Sequence, residues 1–238
     1  MTDLPTAPAP GSTSPLGYAD LPRLIGLMAG DEKHSTSADS TLDVLWVLYD
    51  RVLDVRLEAL DDPDRDRFLL SKGHGPMSYY AVLAAKGFIP IETLATFGAY
   101  DSPLGHHPDR MLIPGVEISS GSLGHGLPIG VGLALGLRSR ARKSRVIVLV
   151  GDAELDEGSN HEAIALAGRL RLDRLTVVAV DNRSATYGWP GGIARRFEVE
   201  GWASATVDGH DHAALEAALA AEHSGQPDVV VAVVGEGT

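Results

Sequence analysis

The sequence predicts an α/β fold: a mostly parallel sheet with helices on both faces. Three observations predict it. Apolar, β-branched runs recur as "VIVLV" (146–150), "LTVVAV" (175–180) and "VVVAVV" (229–234). Segments with helical spacing of apolar residues lie between them. The runs are continuous rather than alternating, as expected of strands covered on both faces. Right-handed crossovers follow. In such a sheet, ligands bind beyond the carboxyl ends of the strands.

Residues 1–16 are rich in Pro, Ala, Ser and Thr and read as a disordered lead-in; residues 17–238 read as one domain. Helical spacing covers 18–32 and 39–59, the second with Leu42, Leu45, Trp46, Tyr49, Val52 and Leu53 on one side. "RFLLSKGHG" is a short apolar run ending in glycines, hence a strand entering a loop. Residues 76–86 and 90–98 read as short helices. "PGVEISSGSLGHGLPIGVGLALGLRSR" is a Gly-rich loop leading into a helix of small residues (Gly130, Gly132, Ala134, Gly136), which permits close backbone packing. Beyond it, strands are expected at 145–150, 175–180, 203–207 and 228–234. Helices are expected at 157–170, 192–199 and 210–222.

The 238 residues suffice for one α/β domain with a substantial core. The formal net charge of −12 argues against nucleic acid or an acidic membrane as partner. No apolar run approaches the roughly 20 residues of a membrane span, and the N-terminus lacks the basic and apolar regions of a secretory signal. The absence of cysteine excludes disulfides, thiolate metal sites and cysteine nucleophiles, and fits a cytoplasmic protein.

Two strand ends carry chemistry: "VLVGD", ending at Asp152, and "VVAVDN", ending at Asn182. One strand–helix–strand unit separates them, so both tips lie on one edge of the sheet. A carboxylate and an amide carbonyl are hard oxygen donors suited to Mg²⁺ or Ca²⁺, and Mg²⁺ completes its shell with water and phosphate oxygens. The helix starting near Glu157 can aim N–H groups at a phosphate. A metal held by Asp152 and Asn182 against a diphosphate is one reading; an Asp serving only as a helix N-cap is the other. An EF-hand loop from Asp152 fails, because its sixth and twelfth residues are Glu157 and Ala163. A zincin motif fails at Ala165. "GSLGHG" is not a dinucleotide fingerprint.

"GDAELDEGSNHEAIALAGRLRLDRLTVVAVDNRS" resembles the thiamine-diphosphate motif, in which GDG is followed by about 30 residues and an asparagine. "HSTSADSTLDVL", "LLSKGHGPMSYYAVLAAKGFIP", "LGHHPDR", "PGVEISSGSLGHGLPIGVGLALG" and "YGWPGG" follow the order seen in transketolases. The chain is similar to the N-terminal subunit of split transketolases. The resemblance implies a thiamine-diphosphate-binding (PP-type) fold, with thiamine diphosphate and Mg²⁺ (or Ca²⁺) as cofactors. It gives Asp152, Asn182 and the Ser184 carbonyl as metal ligands, and His74 as a diphosphate contact. His34 and His107 become substrate-channel histidines that move hydroxyl protons, with His106 able to take the place of His107. Gly121 and Leu123 lie against the aminopyrimidine. Gly151 and Ala153 flank the diphosphate, with Ala153 replacing the motif's glycine. Glu157, also counted among the cofactor-binding residues, and Glu162 match interface acids, while Glu154 and Asp156 read as favourable charges at a helix N-terminus.

The resemblance also implies a partner. The pyrimidine-binding domain, with the glutamate that activates the cofactor and the substrate-phosphate arginines, is expected on a separate C-terminal transketolase subunit, in an α₂β₂ assembly. Residues 119–136 are the expected interface. His125 stands where the family commonly has glutamine, "EKH" replaces its glycine-histidine before His34, and the sequence stops at "VVGEGT", before a further diphosphate-contacting histidine of the family. The implied reaction is transfer of a two-carbon ketol unit from a ketose phosphate to an aldehyde, placed by these departures in specialised biosynthesis. Another thiamine-diphosphate decarboxylase or synthase subunit, or a non-catalytic scaffold, is the alternative.

Overall fold

The computed structural model describes residues 16–28, 35–73, 75–185 and 188–235. Five parallel strands form one sheet in the order β1-β2-β3-β5-β4. They are β1 (Arg67–Leu70), β2 (Val146–Gly151), β3 (Leu175–Asp181), β4 (Ala203–Asp208) and β5 (Asp228–Val233). The helices are α1 (Leu21–Ile25), α2 (Ser35–Val47), α3 (Met77–Ala85), α4 (Gly126–Ser139), α5 (Gly158–Leu170), α6 (Gly192–Glu198) and α7 (His212–Ala220).

The Val-rich runs form strands because alternate residues feed two separate cores. Phe68, Leu70, Ile147, Leu149, Val178, Val180, Val230 and Ala232 pack with α1, α2, α3 and α7. Leu69, Val146, Val148, Val150, Val177, Ala179, Val229 and Val231 pack with α4, α5 and α6. Both faces are therefore dry. α3 is buried all round, from Met77 to Ala84, as befits a helix that is apolar on every side.

The small-residue helix α4 uses one of its glycines for contact. A Cβ at Gly130 would stand 2.5 Å from Val148 Cγ2, so glycine there lets α4 settle on β2. Gly132 and Gly136 face open space instead. The expected helix at 18–32 is shorter: a 3₁₀ turn (Tyr18–Asp20) runs into α1, and Gly26 follows its last residue. Pro22 sits in the first turn of α1, where its fixed φ starts a helix and its missing N–H costs nothing. The segment expected as 39–59 is α2 followed by a π-helical turn at Leu48–Val52. The helix expected at 90–98 is a 3₁₀ turn at Ile91–Thr96. Among the described residues no helix is long and apolar enough to cross a membrane.

Candidate functional site

A cavity of about 680 Å³ opens beyond the carboxyl ends of the strands. Its walls come from segments far apart in sequence. The exit of β1 gives Ser71, Lys72 and Gly73; the Gly-rich loop gives Gly121 and Leu123; the exit of β2 gives Gly151, Ala153 and Glu154. Asn182 and Ser184 follow β3, and Val234 and Gly235 follow β5. Ser40, His107 and His210 complete it.

Asp152 is 2% exposed and sits at the head of the short 3₁₀ turn Ala153–Asp156. Its Oδ1 accepts from Ala153 N at 2.9 Å and from Ser184 Oγ at 2.6 Å. Its Oδ2 accepts from Ser184 N at 2.6 Å and Ala185 N at 3.1 Å. The carboxylate is thus a cap and also the anchor of the loop after β3. Asn182 Oδ1 accepts from the same Ser184 N at 3.2 Å. Two hard oxygens of different strand tips therefore converge on one N–H, a place that favours positive charge. Among the described residues no group of three His, Cys, Asp or Glu side chains converges as a metal site. The donor set is one carboxylate with neutral oxygens, which fits a hard cation completing its shell from phosphate and water.

Glu154 is 2% exposed. It stands in the first turn of the 3₁₀ segment Ala153–Asp156, as expected of its position, but it is buried and has a further role. Its Oε1 accepts from Ser71 Oγ and from Gly124 N at 3.0 Å, and its Oε2 is 3.4 Å from Gly151 N. One side chain ties the β1 exit, the Gly-rich loop and the tip of β2. Burial raises its pKa, against the pull of those hydrogen bonds and of Lys72.

Lys72 escaped the sequence reading altogether. It is the one Lys or Arg among the described residues lining the cavity. Its stem covers Gly151, whose added Cβ would stand 3.3 Å from Lys72 Cδ. Glycine at 151 thus makes room for the lysine. Burial pushes the Lys72 ammonium down to about 8, while Asp152 and Glu154 pull it upward. The available signal was a cation at the end of a buried strand, directly before a glycine.

His107 lines the cavity because two glycines admit its ring. A Cβ on Gly73 would lie 2.9 Å from His107 Cδ2, and one on Gly121 would lie 3.2 Å from it. Gly121 also has φ +120°, a backbone state that favours glycine. His106 packs edge-on against Phe97 instead, with ring centroids 5.3 Å apart. Leu123 is 55% exposed at the rim. Glu157 and Glu162 are exposed and do not line the cavity. Gly124, at φ +81°, packs against the Glu157 stem. His34 and His74 lie outside the described residues.

Residues 28–238 match the family described as "Transketolase, thiamine diphosphate binding domain". The chain belongs to that family. It is similar to a subunit of the apulose-4-phosphate transketolase of Actinobacillus succinogenes, 37% identical over 210 residues, covering 85% of this chain and 76% of the relative. A relative from Rhodococcoides fascians named ferredoxin fas2 is 60% identical over 218 residues, covering 91% of this chain and 72% of that protein. This chain has no cysteine, so no thiolate-held iron–sulfur cluster comes with that name. A solved transketolase from Leishmania mexicana superposes with a TM-score of 0.75 at 26% identity, covering 92% of this chain and 36% of the other. The five-stranded parallel sheet is thus the thiamine-diphosphate-binding fold of transketolases, and the chain is an N-terminal transketolase module.

Proposed function

We propose that this chain binds the diphosphate of thiamine diphosphate through Mg²⁺ and, with a separate pyrimidine-binding subunit, transfers a two-carbon ketol unit from a ketose phosphate to an aldehyde. The convergence of Asp152 and Asn182 on one N–H at the strand tips carries the reading. These two side chains and the Ser184 carbonyl would hold the metal. Lys72 adds the positive charge that a diphosphate needs beside Asp152 and Glu154. The Gly-rich loop, fixed by Glu154, brings Gly121 and Leu123 to the cofactor. The thiazolium ring supplies the electron sink for carbon–carbon bond cleavage and formation.

The remaining chemistry of this chain is proton handling and positioning. His107 would hydrogen-bond substrate hydroxyls and carry their protons, with His34 as its counterpart. His74 would contact the diphosphate. Two relatives are named as single subunits of a transketolase, one of apulose-4-phosphate and one of 6-deoxy-6-sulfo-D-fructose. Those names support a partner subunit here and a specialised sugar substrate. Exposed Leu123 and Ile129 support residues 119–136 as part of the interface.

The test is co-expression with a transketolase C-terminal-half protein, followed by titration of thiamine diphosphate with and without Mg²⁺. Metal-dependent binding that disappears in Asp152→Ala is expected. A stable complex without binding at millimolar cofactor would refute the catalytic reading and leave a scaffold.

A further inference from the structure

The Gly-rich loop ends in a turn that is tied to the metal side of the cavity through both of its polar groups. His125 N donates to Ser122 O at 3.2 Å, so Leu123 and Gly124 are the central residues of a β-turn. Gly124 stands at φ +81°, a left-handed state that suits glycine in the second central position. Leu123 occupies the corner before it, at the cavity rim.

The segment after β2 holds this turn. Gly124 N donates to Glu154 Oε1 at 3.0 Å. Gly124 O accepts from Ser159 Oγ at 2.7 Å. Ser159 lies in the first turn of α5, where a serine hydroxyl ordinarily serves its own helix. Here it reaches 35 residues back along the chain. The fit is close: a Cβ on Gly124 would stand 2.6 Å from Glu157 Cβ and 2.8 Å from Ser159 Oγ. A second tie lies just past the turn. Gly126 N donates to Ser71 Oγ at 3.1 Å, and Ser71 Oγ donates to Glu154 Oε1. A Cβ on Gly126 would collide with Ser71 Oγ. Glu154 thus receives the loop twice, once directly and once through Ser71.

Every side-chain partner of Glu154 is a donor: the Ser71 hydroxyl, Gly124 N–H and, at 3.4 Å, Gly151 N–H. A carboxylate accepts at both oxygens, whereas a carboxamide accepts at one end and donates at the other. The surroundings therefore match the acid and not its isostere. Asp152 caps the same 3₁₀ turn in which Glu154 stands.

We propose that Glu154 and Ser159 are positioning residues for the cofactor: by holding both polar groups of Gly124, they fix the turn that presents Leu123 to the same short segment that carries Asp152. Residues 152–159 would then set the separation between the diphosphate end of the ligand and its aminopyrimidine end. The inference rests on the proposed function, because only that reading lays a ring against Gly121 and Leu123. A merely structural role would cost stability and leave the affinity for whole cofactor, relative to its diphosphate fragment, unchanged.

The test separates the two ends of the ligand. Inorganic pyrophosphate with Mg²⁺ reaches only the diphosphate side, whereas thiamine diphosphate also meets the turn. In the complex with the C-terminal-half protein, Ser159→Ala should weaken thiamine diphosphate about fivefold, the loss of about one neutral hydrogen bond. Mg²⁺-pyrophosphate should stay within about twofold. Ser159→Thr, which restores the hydroxyl, should restore the wild-type ratio of the two affinities. Glu154→Gln should shift that ratio in the same direction by about tenfold, since its amide faces donors; if it fails to fold, the Ser159 pair still decides. Amide exchange on the full chain without ligand reads the cause. Protection at Gly124 should fall about fivefold in Ser159→Ala, while amides of β2 and β3 keep theirs. Equal weakening of both ligands, or unchanged Gly124 protection in Ser159→Ala, would overturn the positioning role. A wild-type complex that binds neither ligand would refute the proposed function; the hold on the turn would then stand or fall on the Gly124 exchange alone.

Discussion

The two ends of the sheet bury the same kind of charge and treat it oppositely. At the amino end, Asp66 is 6% exposed and is met by a whole guanidinium. Its Oδ2 accepts from Arg145 Nη2 at 2.6 Å and Nε at 3.1 Å, while Oδ1 accepts from Arg145 N at 3.0 Å. At the carboxyl end, Asp152 is held by loop amides and a hydroxyl, and Lys72 is the nearby cation. The first arrangement is closed: one guanidinium and two backbone amides, Arg145 N and the loop residue Asp54 N at 3.1 Å, occupy the carboxylate. The second is open to exchange, because a metal or phosphate can take over from an amide or a lysine. Burial of an acid does not mark a site; what sets Asp152 apart is that loop amides and a hydroxyl hold it where Asp66 has a guanidinium.

Substitutions at the two ends should separate cleanly. Asp152→Ala should weaken Mg²⁺-dependent cofactor binding at least about a hundredfold, read by calorimetry, since a charged ligand is lost outright. Asp66→Ala should leave that affinity within about twofold and instead cost about 2 kcal/mol in urea unfolding. The figure lies below the range for a fully buried pair because Arg145 keeps access to water. If Asp66→Ala weakened binding as much as Asp152→Ala, the contrast between the ends would collapse. Lys72→Met comes next: it keeps the stem over Gly151 and removes the charge. Cofactor affinity should fall about tenfold, with no loss of melting temperature. A melting temperature that fell with an unchanged affinity would make Lys72 a structural residue.

The sheet was legible because two-sided burial writes itself as continuous runs such as "VIVLV". The flanking short elements were less so. Pro22 and Gly26 cut the first helix within a period that looked longer, and 3₁₀ turns carry the same local spacing as a helix. Within the site, Gly121, Leu123, Gly151, Ala153, Asn182, Ser184 and His107 line one cavity. Glu154 and Lys72 did not emerge, nor did the bond from Ser159 to Gly124. Their partners lie far along the chain: Ser71 and Glu154 are 83 residues apart, Ser159 and Gly124 are 35 apart. Such pairs leave no period and no spacing, so only the fold reveals them.

The smallest effect tests the amino end more finely. Asp228 is 7% exposed and accepts from Thr176 Oγ1 at 2.9 Å. Burial pushes its carboxyl up to about 6, against the Thr176 bond and the pull of His223 and Arg145. The folded chain therefore prefers the neutral acid. That preference is fully satisfied below the ordinary Asp value of about 3.9 and is lost as pH rises through about 6. An asparagine keeps the oxygen that Thr176 needs and cannot ionise. Asp228→Asn should therefore stabilise the chain by about 1 kcal/mol at pH 8 and give no gain at pH 4, measured by urea unfolding at both values. A loss at pH 8 would mean that the ionised carboxylate is required by Arg145 and His223, and that this acid is paired as firmly as Asp66. A gain would show that the lower edge needs the shape of this residue and not its charge, whereas the upper edge needs the charge of Asp152 itself.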